Sequence, residues 1–152
     1  MQRIDSLPMW IASKRMNFHQ LDRIADLCNP LLILALICLA FATLKSRAWP
    51  FLLRNGLAVV VVQQLCKYAQ KKEVWGENFP STHFAVALAL CFGLVVLKRR
   101  LWPVALAYLI GYGALMLFQG YHTPREMLGA LFAVPVALLF HYRPKKARSL
   151  AS

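Results

Sequence analysis

Five stretches of the chain carry almost nothing but apolar side chains: 27–44, 49–66, 79–97, 101–118 and 127–141. Each is free of charge apart from Arg54 near the start of the second. Continuous apolar runs lack the polar stripe of a helix that faces water on one side, so they predict helices surrounded by lipid rather than a soluble bundle. A spanning helix needs about 20 residues. The fifth stretch is short and contains Pro135, so the shorter members have to tilt, kink or draw on flanking turns.

The pattern before the first stretch is different. Residues 1–28 include Lys14, Arg15, Asp22, Arg23 and Asp26, while Trp10, Ile11, Phe18, Leu21, Ile24 and Cys28 recur near helical spacing. That arrangement predicts an amphipathic helix lying in the membrane interface. Without an uninterrupted apolar core before Cys28, it does not read as a cleaved signal peptide. The expected fold is an all-α polytopic transmembrane bundle of about five spans plus this N-terminal interfacial helix. Residues 1–152 form a single membrane-embedded domain.

Composition agrees with the pattern. The 152 residues are 59% hydrophobic, with mean hydropathy +0.51, more apolar surface than one soluble core of this length can hide. A net charge of +12 raises the question of nucleic acid, but the basic residues sit in the connections between apolar runs, not on one amphipathic face. They are better read as topology signals, and no nucleic-acid partner is expected. With alternating spans, one side receives Lys45 and Arg47, then Lys98, Arg99 and Arg100, then the tail 143–152 with Arg143, Lys145, Lys146 and Arg148. It receives no acidic residue, which marks it as cytoplasmic. The other side receives Lys67, Lys71, Lys72, Glu73 and Glu77 in one loop and Arg125 with Glu126 in another. Those loops are expected to face outward, into the periplasm or its equivalent, from a bacterial inner membrane. Cys28, Cys38, Cys66 and Cys91 lie in or beside apolar segments without paired spacing and read as small packing residues.

The two outward loops carry the candidate chemistry, because each delivers a histidine to the start of an apolar helix. One is Phe79-Pro80-Ser81-Thr82-His83 and the other runs from Gly120 through His122, Thr123, Pro124, Arg125 and Glu126 to Gly129. Helix starts favour anions, through unsatisfied N–H groups and the positive end of the dipole. Lys67, expected to close the second span, Lys71 and Lys72 place cations on the same face. Two histidines, one carboxylate, clustered cations and the hydroxyls of Ser81 and Thr82 suit phosphoryl transfer through a histidine nucleophile, with the second histidine as acid for the leaving oxygen. No carboxylate cluster stands ready for a metal, so no metal or cofactor is expected. The same residues also have plain structural readings. Thr123-x-x-Glu126 with Pro124 is a capping box, Ser81 or Thr82 an ordinary N-cap, and the histidines and lysines interfacial or solvated residues. His19 and His141 have no such company and read as structural.

At these residues the sequence resembles the type 2 phosphatidic acid phosphatase superfamily, the lipid phosphate phosphatases. The resemblance covers residues 67 to about 130. Pro80-Ser81-Thr82-His83 is similar to the family's Pro-Ser-Gly-His motif, with Thr82 for glycine. Gly120-Tyr121-His122-Thr123-Pro124-Arg125-Glu126 is similar to its Gly-x-His-x-Pro-x-Asp motif, with Glu126 for aspartate. By this resemblance His122 is the nucleophile, Glu126 orients its ring, His83 protonates the leaving oxygen, and Lys67 and Ser81 bind phosphate. Two family arginines are missing. Val74 and Trp75 stand where the first motif has arginine and proline, and Leu115 and Met116 stand where a Ser-Arg pair precedes the histidine. Lys71, Lys72 or Arg125 could supply the absent charge, although a point-charge lysine does not reproduce a bidentate arginine. The resemblance implies an integral membrane phosphatase of a lipid phosphate monoester or pyrophosphate. Two alternatives stay open: a phosphotransferase using the same histidine, and a non-catalytic relative that binds anionic lipid or a partner.

Overall fold

The computed structural model describes the backbone of residues 9–73, 76 and 78–141, with side chains from Leu27 onward within that range. The basic tail 143–152, the apolar face expected over residues 1–26, His19, Val74, Trp75 and Glu77 lie outside it. The described chain is helical throughout, without strands.

Helix α1 (Met9–Leu44) is continuous across the expected junction near Leu27, so the N-terminal segment and the first apolar stretch share one 36-residue helix with Pro30 inside it. A 3₁₀ turn at Lys45–Arg47, with Lys45 in the left-handed region (φ 50°), reverses the chain. Helix α2 (Ala48–Lys71) returns along α1, and the rings of Phe41 and Trp49 meet edge to face beside the turn, 5.4 Å apart. This helix overruns its apolar stretch by five residues. Nothing from Lys67 to Lys71 breaks a helix, so the turn carrying both lysines stays helical instead of ending at Lys67.

Helix α3 (Thr82–Leu97) packs against α1, α2, α4 (Trp102–Phe118) and the last helical segment, and its middle turns are buried all round. An all-apolar sequence fits such a central position. The fifth apolar stretch is broken into α5 (Pro124–Gly129), a 3₁₀ turn at Ala130–Phe132 and α6 (Ala133–His141). Pro135 accounts for the break: it has no N–H to donate and its ring crowds the carbonyl four residues earlier, at Leu131 inside the 3₁₀ turn.

The packing is that of a membrane bundle turned outward. The fully buried positions are mostly alanines, such as Ala40, Ala58, Ala85, Ala89, Ala130 and Ala137, while Leu31, Leu53, Ile110 and Leu139 are more than half exposed. Small residues let helices approach closely, and large apolar residues turned outward are what a membrane bundle presents. Three helical stretches are long and apolar enough to cross a membrane: Leu27–Lys71, Arg99–Phe118 and Pro124–His141. The first contains α1's apolar part, the turn and α2 together. The third of the five expected stretches forms only the 16-residue α3, about 24 Å long. That falls short of a hydrocarbon core of about 30 Å.

A polar pair with one buried member lies at the end of the bundle away from the two histidine loops. Asn55 of α2, 2% exposed, accepts a hydrogen bond of 3.2 Å from His141 Nε2 through its Oδ1. The rings of Phe51 and Phe92 lie within about 6 Å of the His141 ring, and Asn55 fits against α3 only because Gly93 has no side chain there. His141 therefore has a structural role.

Candidate active site

Four backbone devices build the other end. Helix α4 ends in a Schellman cap, with Tyr121 N–H bonded to Met116 O (3.2 Å) and Gly120 N–H to Leu117 O (3.1 Å). Gly120 takes φ 72°, a conformation that glycine adopts without strain. The chain is thereby turned so that His122 follows two residues on. Thr123 then caps α5, accepting Glu126 N–H at 3.3 Å, with Pro124 in the first turn. Across from it, Ser81 caps α3 by accepting the Phe84 N–H at 3.4 Å. The two loops are joined directly, since Ser81 N–H donates to the Glu126 carbonyl at 3.1 Å.

The catalytic candidates meet in this frame. His122 Nδ1 lies 2.9 Å from Glu126 Oε2, and the same oxygen accepts the Thr123 N–H at 3.2 Å. An ionised carboxylate only accepts, so Nδ1 is the donor in this contact, and the neutral imidazole held this way has its lone pair on Nε2. One carboxylate thus closes the capping box and orients the histidine. The cap contact and the contact to the His122 ring are made by the same Glu126 oxygen. The His122 and Glu126 side chains are 13% and 17% exposed. His83, exposed in the first turn of α3, places its ring centroid 6.5 Å from that of His122. No described hydrogen bond joins the two rings, which are tilted by 46° to each other.

The other expected phosphate ligands are arranged less directly. Ser81 is fully buried and its hydroxyl is used as the cap. Thr82 is half-buried and hydrogen-bonded to the Cys66 side chain on α2. Lys67, Lys71 and Lys72 are exposed at the end of α2, and no described contact joins them to either histidine. Arg125 lies with its guanidinium 5.7 Å above the Phe79 ring. Leu115 is half-buried and Met116 is buried beside Ala87 and Tyr112, so the two positions before the His122 loop are packing positions. Among the described residues, no three His, Cys, Asp or Glu side chains gather to hold a metal.

Several supports have no counterpart in the motifs. Gln70 Nε2 donates to the Pro80 carbonyl at 2.8 Å, tying the end of α2 to the first loop. Phe79 lies against Gly129, where any side chain would collide with its ring. Asn29 of α1 donates to the His83 carbonyl (3.3 Å) and to the Tyr112 hydroxyl (3.4 Å). The sequence signal for Asn29 is only a lone amide inside an apolar run. Asn29→Leu is expected to cost about 1–2 kcal/mol of stability in detergent, read from thermal unfolding, by removing both bonds at a three-helix contact. No change in the unfolding midpoint would show that these bonds do not clamp α1 to the site.

Compared with known proteins, the chain matches no family model, no curated protein and no solved structure.

Proposed function

We propose that this protein is an integral membrane lipid phosphatase that works through a phosphohistidine at His122. The observation carrying this reading is the His83–His122 pair, 6.5 Å apart, with Glu126 on the Nδ1 side of His122. His122 Nε2 attacks the phosphorus of a lipid phosphate monoester or pyrophosphate. A P–N bond forms, the P–O bond to the lipid breaks, and His83 gives its proton to the departing oxygen. His83, now neutral, takes a proton from water as the water oxygen attacks phosphorus, and the P–N bond breaks to release phosphate. Lys67, Lys71, Lys72 and Arg125 supply positive potential around the developing charge, from positions that a bound phosphate would draw closer. His122 must be neutral while His83 is protonated, so activity falls at both pH extremes.

In this reading the chain crosses the membrane five times, with the N-terminal part of α1 at the interface, the site facing outward from a bacterial inner membrane, and the basic tail in the cytoplasm. The helices hold the lipid tail within the bilayer, and only the headgroup reaches the histidines.

The test is phosphate release by purified protein from a panel of lipid phosphates in the presence of a metal chelator. His83→Ala is expected to lower release from alkyl phosphates by about 10²–10⁴-fold, and to lower it far less with p-nitrophenyl phosphate, whose leaving group needs no proton. Equal losses on both substrates remove His83 from the role of acid. A second reading, a non-catalytic lipid-binding relative, is favoured by buried Met116 standing in place of an arginine. It wins if the wild type releases no phosphate from any member of the panel.

A further inference from the structure

A groove of about 300 Å³ runs between α1 and α2 on the outside of the bundle, toward the end away from the histidines. Its floor is formed by Leu36 and Leu90, both almost fully buried, and its rim by exposed Ile33, Phe41 and Trp49. Asn55, occupied with His141, is its one polar lining residue. Gly56 also lines it, and a side chain built there meets nothing within 4 Å. Along α1 the groove extends from Ile33 to Phe41, about 12 Å at the helical rise. Half of a hydrocarbon core of about 30 Å is about 15 Å, so the groove has the depth of one leaflet. Just past its end at Phe41 and Trp49, the two helices are joined by the turn Lys45–Arg47, the part of this face that a leaflet-deep groove would bring to the headgroups. Lys45 and Arg47 are exposed, and neither has a carboxylate partner among the described residues.

We propose that this groove holds one acyl chain of an anionic glycerophospholipid whose headgroup phosphate rests on Lys45 and Arg47. An acyl chain is the occupant that matches an apolar slot one leaflet deep, and the two cations at its mouth select the sign of the headgroup. This lipid is separate from the proposed substrate, at the opposite end of α2 from Lys67.

Native mass spectrometry of the full-length protein in detergent tests this, with phosphatidylglycerol and phosphatidylcholine of identical acyl chains as probes. Phosphatidylglycerol is a phosphodiester, so its binding does not depend on the phosphatase reading. The wild type is expected to retain one phosphatidylglycerol per chain, favoured at least about fivefold over phosphatidylcholine. Gly56→Phe, which fills the groove, lowers retention of both lipids. The double variant Lys45→Gln with Arg47→Gln leaves phosphatidylcholine unchanged and brings the two lipids to parity. Equal retention of both lipids by the wild type overturns the proposal. So does retention by Gly56→Phe at the wild-type level, or a lipid-free dimer showing that a second copy covers the groove. If Gly56→Phe does not fold, the charge variant on the exposed turn still decides.

Discussion

His122→Ala is expected to lower phosphate release from a lipid phosphate by at least about 10³-fold, with helix content and unfolding temperature unchanged. The residue is 13% exposed at the side chain and lies in a loop fixed by backbone bonds of Gly120, Tyr121 and Thr123, so its removal leaves the frame standing. In the proposed mechanism the effect is large because His122 carries the bond-forming nitrogen. His83, its ring centroid 6.5 Å away, is assigned the separate role of acid in that mechanism. Acid-labile phosphate trapped on the wild type by rapid quench, and absent from His122→Ala, is the direct reading. Glu126→Gln separates orientation from charge. Its amide oxygen still accepts the Nδ1 proton, but the imidazole loses the neighbouring negative charge that favours its cationic form in the transition state. A loss in kcat with little change in KM is expected. Trapped phosphate on His122→Ala equal to that on the wild type would sink the mechanism.

What the sequence reveals of this site divides along a physical line. The pairing of two helix starts on one face is legible, because alternating apolar runs dictate which loops share a side. The capping box is legible too, since Thr123, Pro124 and Glu126 act within one turn. The joint role of Glu126 is not, because the sequence poses capping and orienting as alternatives and only geometry shows a single oxygen doing both. Ser81 illustrates the same limit: its type suits a cap and a phosphate ligand equally, and its complete burial makes it the cap. Asn29, Gln70 and Gly129 act between segments up to 83 residues apart, and a single sequence carries no record of such contacts.

The elements follow a similar division. Apolar stretches locate the helices, while helix ends follow backbone propensity that the hydropathy pattern does not contain. Hence α2 continues through Lys67 to Lys71, and α1 runs unbroken through the point where charge gives way to apolar residues. Pro135 was visible as an anomaly, and its effect appears one turn earlier, as the 3₁₀ segment between α5 and α6.

Gly93→Val is expected to destabilise the bundle by about 2–4 kcal/mol, the largest effect of any single glycine substitution at a site remote from the histidines. A Cβ at position 93 would fall on the Asn55 amide, which is 2% exposed and held by His141, while α3 is hemmed in by four helices. The added side chain therefore pushes Asn55 off Nε2 of His141 and deprives the buried amide of that bond. Gly111→Val is the matched control, since it adds the same side chain to a membrane helix where nothing lies within 4 Å, and its unfolding temperature should stay close to that of the wild type. Steric and polar contributions separate in a double-mutant cycle. Asn55→Ala removes the obstructing amide, so Gly93→Ala should cost much less in that background than alone. Strict additivity of the two substitutions would mean that Gly93 is required for something other than room for Asn55, and the α2–α3 contact would need another explanation.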